Sequence, residues 1–245
     1  FTTLLAMPNT QPPLVTNQEW RIAQNRAKNE SLCDIFLFAG ASAEHIHQLP
    51  TLAQMAPALK IYMNETYGPL RVTGIEAMRS IVRAWPSSKP IAVHAENDAV
   101  AVAISMAAIY QRPIHICHVS RKVEIELIAD AKARGLGVTC EVTPHHLFLT
   151  EDDAKSLGPL GGVRPQLASH ADVDALWEHI NTTVDCIASD HAPHTLMEKG
   201  VKPETKIGVP SERAGQSEDE TTSSNPTSSA PPPGLPGLES TLPLM

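Results

Sequence analysis

The sequence predicts an α/β fold with a parallel sheet, closed as a (β/α)8 barrel, and three observations carry that prediction. Short apolar runs alternate with longer helical stretches along most of the chain, the pattern left by strands joined through crossover helices. The runs number seven, one short of a closed barrel, in a chain of 245 residues that is about as long as such a barrel requires. No glycine-rich phosphate loop follows an early run, which counts against the competing architecture, an open doubly wound sheet.

The predicted strands are Leu4–Met7, Asp34–Leu37, Leu59–Tyr62, Ile91–His94, Ile114–His118, Val138–Val142 and Cys186–Ser189. The first helix opens at Thr16-Asn17-Gln18-Glu19, a capping-box pattern in which hydroxyl and carboxylate each satisfy an orphan amide. Glu76–Trp85, Asp98–Gln111 and Lys122–Arg134 have helical spacing, and Gly135 and Gly137 end the last of them. Residues 203–230 break the alternation: they are rich in Ser, Thr, Pro and acid, with too little apolar surface to offset the entropy of ordering. They are expected to form a disordered insert in one partial barrel domain spanning residues 1–245. The chain opens at Phe1 close to an apolar run and stops after Leu242-Pro243-Leu244, so the first barrel strand and a last segment are expected outside it.

Hydrophobic residues make up 42% of the chain and aromatics 4%, so the core is expected to be built from Ala, Val, Ile and Leu. A formal net charge of -8 argues against a nucleic-acid partner held by a basic face. No apolar run approaches the ~20 residues of a membrane helix. Cys33, Cys117, Cys140 and Cys186 are widely spaced beside apolar runs, which suits reduced thiols in the cytoplasm better than a disulfide framework.

The chemistry-bearing residues fall at strand ends. His94 closes Ile91-Ala92-Val93, His118 closes Ile114–Cys117, and Asp190 follows Ile187-Ala188-Ser189. Each has an ordinary explanation: a lone strand-end histidine is more often structural than a ligand, and an aspartate there caps a helix. Asp190-His191-Ala192-Pro193-His194 is denser than either explanation requires. His145-His146, beyond Glu141, reads as a hydrogen-bonded surface pair. Lys60 is the odd residue, inside the apolar strand Ala58-Leu59-Lys60-Ile61-Tyr62. Burial favours the neutral amine over the ammonium, and a neutral amine reacts with carbon dioxide to a carbamate whose two oxygens can bridge two metal ions. Its ordinary explanation is an edge-strand lysine snorkelling to water. Lys60, His94, His118 and Asp190 nonetheless come from four separate strands, at the end where barrels place active sites, and imidazole with carboxylate is the donor set of catalytic zinc.

The order Lys60, His94, His118, Asp190 resembles the metal-dependent amidohydrolases. Six longer stretches narrow the likeness: Ala6-Met7-Pro8-Asn9-Thr10, Leu59-Lys60-Ile61-Tyr62-Met63-Asn64-Glu65-Thr66, Val93-His94-Ala95-Glu96, His115-Ile116-Cys117-His118-Val119, Cys140-Glu141-Val142-Thr143-Pro144-His145-His146-Leu147 and Ala188-Ser189-Asp190-His191-Ala192-Pro193-His194-Thr195. Together they resemble the dihydroorotases, most of all the dihydroorotase domains of animal multifunctional pyrimidine-synthesis proteins. The likeness covers nearly the whole chain except the acidic insert.

The resemblance implies a TIM-type barrel and roles for matching positions. Lys60 is implied as a carboxylated lysine bridging two zinc ions, His94 and His118 as ligands of one, and Asp190 as ligand of the other and proton shuttle. Cys117 and Glu141 match ligands of an extra zinc. Asn9, Arg164 and His194, with the backbone at Pro233 and Gly234, are implied to hold the substrate; an arginine fork suits a carboxylate. Thr66 and Tyr67 match a mobile loop over the site. The implied reaction interconverts N-carbamoyl-L-aspartate and L-dihydroorotate in de novo pyrimidine synthesis. The implied setting is a cytoplasmic homo-oligomer fused to carbamoyl-phosphate synthetase and aspartate transcarbamoylase domains.

The family's first-strand His-x-His metal pair and its neighbouring arginine are not matched here, so this stretch alone is expected to be inactive. The rival enzymes are other cyclic amidases, hydantoinase or allantoinase, against which Asn9, Arg164 and His194 favour an acidic substrate. A non-catalytic barrel kept as a scaffold is the rival from another class, and retention of Lys60, His94, His118 and Asp190 together counts against it. A third alternative puts the weight on the insert as an interaction loop.

Overall fold

The computed structural model describes residues 1–201, 231–238 and 241; the predicted insert lies outside them. Strand β1 (Thr3–Ala6) pairs in parallel with β2 (Asp34–Leu37), with Leu5 opposite Phe36. A second parallel sheet follows in unbroken sequence order: β3 (Ala39–Gly40), β4 (Leu59–Tyr62), β5 (Ile91–His94), β6 (Ile114–Ile116), β7 (Val138–Val142) and β8 (Cys186–Ile187). Phe38 joins the two sheets. Its amide donates to Ala6 O at 3.1 Å, and the next amide, of Ala39, donates to Ala58 O at 3.0 Å. β2 and β3 are therefore one bent strand that serves β1 on one side and β4 on the other, and the seven predicted strands are all present. The strand order never reverses, as it does at the switch point of a doubly wound sheet; this is the order of a barrel.

Two predicted strands are shorter than expected. The run to His118 stops pairing at Ile116, and the run to Ser189 stops at Ile187. In each, the chain turns sharply to present a site residue: His118 and Asp190 have φ of 39° and 43°.

Helices α1 (Asn17–Glu30), α2 (Leu49–Leu52), α3 (Ile75–Ala84), α4 (Asp98–Tyr110), α5 (Lys122–Ala133), α6 (Pro144–Phe148), α7 (Glu151–Leu157) and α8 (His170–His179) lie between strands. In α4 the buried residues Val100, Ala103, Ile104 and Ala107 follow the i, i+3, i+4, i+7 spacing of one helical face. The capping box expected at α1 is only half formed. Thr16 Oγ1 accepts from the Glu19 amide at 3.4 Å, while Glu19 Oε2 is buried with no hydrogen-bond partner among the described residues. Complete boxes occur instead at Thr150 with Asp153 and Ser169 with Asp172.

The two faces of the sheet have different duties. Leu59 and Ile61, Ile91 and Val93, Ile114 and Ile116, and Val138, Cys140 and Val142 belong to one large core with the helices. By the two-residue period of a strand, Lys60, Ala92, His94, His115, Thr139 and Glu141 stand on the opposite, barrel-interior face. Aliphatic residues dominate the core as expected, but Trp20 and Trp85 are its largest fully buried side chains. Arg112 is also buried there, its guanidinium donating to Val82 O, Trp85 O and Pro86 O at 2.9, 2.6 and 2.6 Å. The cysteines form no disulfide. Among the described residues, no helix is long and apolar enough to cross a membrane.

Candidate active site

The C-terminal ends of the strands enclose a cavity of ≈ 140 Å³. Asn9 enters it from beyond β1, Lys60 and Tyr62 from β4, His94 from the end of β5, His118 from the turn after β6 and Asp190 from the turn after β8. Thr66, Tyr67 and Arg164 line it from loops, and Pro233 and Gly234 from the segment that returns after the insert. Met7, Val163, His191 and Ala192 complete the lining. Met7 and His191 lie inside quoted motifs, but only the folded chain shows them facing the cavity.

Lys60 is 1% exposed, its Nζ 2.8 Å from Cys117 Sγ and 5.4 Å from the centre of the Tyr62 ring. A snorkelling edge lysine is thereby ruled out, since β4 is flanked by β3 and β5. Burial raises the Cys117 thiol to about 12 against the opposing pull of Lys60. Asp190 is raised to about 6, first by burial, with Lys60 pulling it down and Glu141 pushing it up. It is thus a carboxyl able to hold and release a proton near neutral pH.

His94 and His118 meet at 2.9 Å, Nδ1 to Nε2, with ring centres 4.5 Å apart. His94 Nε2 faces Glu96 Oε1 at 2.8 Å, so Nε2–H donates to the carboxylate and Nδ1 keeps its lone pair. The amide of Glu96 in turn donates to Asn64 Oδ1 at 2.8 Å. Burial lowers both imidazoles, His118 well below the usual histidine range, so both are neutral. His118 Nδ1 is buried with no hydrogen-bond partner among the described residues. Neutral imidazoles, one backed by a carboxylate, beside a buried amine and a carboxyl are a donor set that fits a divalent metal. The left-handed backbone at His118 and Asp190 costs of order 1–3 kcal/mol at each, strain that places both side chains at the cavity.

The predicted residues are not all gathered here. Cys117, Glu141 and His194 do not line the cavity. Cys117 faces Lys60, and Glu141 Oε2 lies 3.0 Å from His115 Nε2. Among the described residues His194 meets the cavity lining at Tyr67, ring centres 5.5 Å apart, with Nδ1 4.0 Å from Glu198. Tyr67 O accepts from Asn9 Nδ2 at 3.1 Å, tying that loop to the end of β1. The sequence does hold one His-x-His, at His45 and His47. These rings sit in a 3-10 turn at Ala43–Gln48, 6.3 Å apart, and line no part of the cavity.

Two buried groups escaped the sequence reading. His145 and His146 are buried, not a surface pair. His146 Nδ1 takes the Thr143 hydroxyl at 2.7 Å, and Nε2–H donates to Pro165 O at 3.0 Å, next to Arg164. Glu124, also buried, accepts from the amides of Asn97, Ser120 and Arg121 at 2.7, 3.3 and 3.1 Å. It thereby joins the loop after His94 to the loop after His118.

The chain is 41% identical over 245 residues to the multifunctional protein CAD of Squalus acanthias, covering all of this chain and 10% of that protein. It is 36% identical over 247 residues to the multifunctional protein pyr1-3 of Dictyostelium discoideum, again 10% of its length. The dihydroorotase of Pyrococcus furiosus is 33% identical over 216 residues, 81% of this chain and 48% of that one. The chain is a relative of the dihydroorotases. It spans a tenth of its multifunctional relatives and about half of the single dihydroorotases. No family model matches the sequence. Among solved structures, the L-hydantoinase of Arthrobacter aurescens superposes with a TM-score of 0.76 at 23% identity over 82% of this chain and 52% of that one. That similarity shows the fold alone, a TIM-type barrel. The inactive dihydroorotase-like domain of the Chaetomium thermophilum CAD-like protein superposes at 0.66 and 26% identity, over 77% and 53%.

Proposed function

We propose that this barrel is the dihydroorotase part of a larger polypeptide and that it interconverts N-carbamoyl-L-aspartate and L-dihydroorotate. The observation that carries the reading is the convergence of Lys60, His94, His118 and Asp190 on one cavity in a chain that is 33% identical to a dihydroorotase over 81% of its length. Zinc is the metal this donor set suits: a pair held by His94, His118, Asp190 and a carbamate on Lys60 would supply Lewis acidity and an activated water at neutral pH. The carbamate would form by addition of the Lys60 amine to carbon dioxide with loss of a proton.

The chain's own groups account for the rest. Arg164 and Asn9, both at the cavity wall, bind the substrate carboxylate and orient the ring. Ring opening adds the oxygen of water to the amide carbonyl and breaks the C–N bond; Asp190 takes the proton released by water and returns it to the departing nitrogen. Tyr67, held by Asn9 and against His194, covers the mouth and keeps bulk water out. His194 acts through Tyr67 rather than by touching the ring. The same reading places the barrel in the cytoplasm, self-associated, beside carbamoyl-phosphate synthetase and aspartate transcarbamoylase domains.

The rival is a silent barrel, favoured by the similarity to the inactive Chaetomium domain. The full-length protein decides between them. Ring opening of dihydroorotate, lost by about a thousandfold or more in Asp190→Asn with the fold intact, supports the enzyme. Failure of the wild-type protein to open dihydroorotate, or preference for hydantoins or allantoin, overturns the assignment.

A further inference from the structure

His191 follows Asp190 directly, lines the cavity and has no part in the proposed chemistry. Its Nδ1 accepts from the amides of Gly237 and Leu238 at 3.1 and 3.2 Å, across 46 and 47 positions of chain. Those amides open a turn in which the Thr241 amide donates to Gly237 O at 3.0 Å, the four-residue bond of an α-helix. Amides at such a start have no acceptor within the turn itself, and one imidazole nitrogen serves both.

The backbone around His191 holds the same segment. His191 forms a parallel bridge with Leu235, and the Ala192 amide donates to Leu235 O at 3.0 Å. A Cβ on Gly237 would run into Ser189 O, so a glycine there lets the two backbones approach this closely. At its other end the segment is held by the Gly234 amide, which donates to Gly162 O at 2.9 Å. Pro233 and Gly234, at that end, form part of the cavity wall.

We infer that His191 is a positioning residue: its Nδ1 clamps residues 233–238 onto the chain just beyond β8 and thereby sets the place of the backbone at Pro233 and Gly234, on which substrate affinity depends. This holds on the dihydroorotase reading, in which that backbone binds the substrate. The clamp also fixes the roles of the two ring nitrogens. A backbone amide only donates, so Nδ1 bears the lone pair and Nε2 the proton. With Nδ1 engaged by two amides, that nitrogen is not free to take a proton from water, and proton transfer stays with Asp190. Loss of the imidazole leaves the Gly237 and Leu238 amides without this acceptor and lets the wall move. The effect therefore falls on binding rather than on the chemical step.

Steady-state kinetics and amide hydrogen exchange on the full-length protein test the clamp. His191→Leu should raise KM for dihydroorotate by about tenfold with kcat changed far less, and the peptide containing residues 233–238 should exchange faster. His191→Asn, whose side-chain oxygen is a favoured acceptor at a helix start, should restore most of both. Should His191→Leu fail to fold, Leu238→Pro takes its place. Proline is tolerated at a first helical position and removes one of the two donors, so a smaller rise in KM with faster exchange is expected. If the wild type does not open dihydroorotate, the functional reading falls and exchange alone decides the clamp. Exchange indifferent to His191→Leu, a fall in kcat with KM unchanged, or an Asn variant as impaired as the Leu variant overturns the inference.

Discussion

His146 Nε2 sits 3.0 Å from the carbonyl oxygen of Pro165, and through that bond a buried ring in α6 holds the turn that presents Arg164 to the cavity. The bond has a definite direction, because a carbonyl only accepts: Nε2 carries the proton and Nδ1 takes the Thr143 hydroxyl. His146→Leu removes both partners' bonds and frees the Arg164 turn. If Arg164 grips the substrate carboxylate, KM should rise by about tenfold with kcat changed far less, the signature of lost binding rather than lost chemistry. His146→Gln, which keeps a donor, should recover part of the loss. Steady-state kinetics on the full-length protein measure it, and an unchanged KM in His146→Leu counts against the link.

Acid should loosen the barrel through the same pair of rings. Burial lowers His145 to about 3 and His146 to about 4, against about 6.5 for histidine in an unfolded chain. Between those limits the unfolded chain binds protons that the folded chain refuses, so stability falls as pH falls below 6.5 and levels off below the folded values. Each ring should remove about 2 kcal/mol on going from neutral pH to about pH 5. Urea midpoints at the two pH values test this. The decline should shrink by about 2 kcal/mol in His145→Gln, the buried His94 and His118 adding shares of their own, and a flat profile in the wild type would contradict the burial of both rings.

Glu124 bridges two loops that each end in a site residue. Glu124→Ala leaves the Asn97, Ser120 and Arg121 amides without their acceptor, at a cost of roughly 2–4 kcal/mol. Burial raises the Glu124 carboxyl while the three amides lower it, and Glu124→Gln keeps one acceptor oxygen, so it should cost less than Ala. Chemical denaturation ranks the two variants, and equal losses would mean that the charge, not the acceptor, matters.

Gly234 is required by both conformation and space. Its φ is 144°, and a Cβ there would run into Ala192 O. Its amide donates to Gly162 O at 2.9 Å, the same carbonyl that receives Lys199 Nζ at 3.0 Å. Gly234→Ala should therefore cost roughly 1–3 kcal/mol and lift residues 231–238 from the cavity wall. Faster limited proteolysis at that segment, with a raised KM, is the expected result; wild-type values for both would show that the wall relaxes around the methyl group.

The sequence exposes what strands repeat and hides what loops bring together. Lys60, His94 and Asp190 are legible because a polar residue at the end of an apolar run has few ordinary explanations, and all three reach the cavity. His145 and His146 look like surface residues because their burial depends on Pro165, nineteen residues on, and no local pattern announces that contact. His194 is close to Asp190 in the chain, yet among the described residues it meets the cavity lining through Tyr67, a contact that no local pattern announces. The bend at Phe38 is equally silent, since a change of pairing partner within one strand leaves the period-two pattern intact.

The contacts around the cavity span wide stretches of chain. Lys60 meets Cys117 across 57 positions, Asn9 meets Tyr67 across 58, and His94 meets His118 across 24. Each junction requires closing a loop of that length, with its entropic cost, before any contact rewards it. The cavity is consequently a late product of folding, finished only when distant segments have docked. Anything that then occupies it stabilises the whole chain by mass action, so a tight ligand should raise the melting temperature of regions remote from it as much as those beside it.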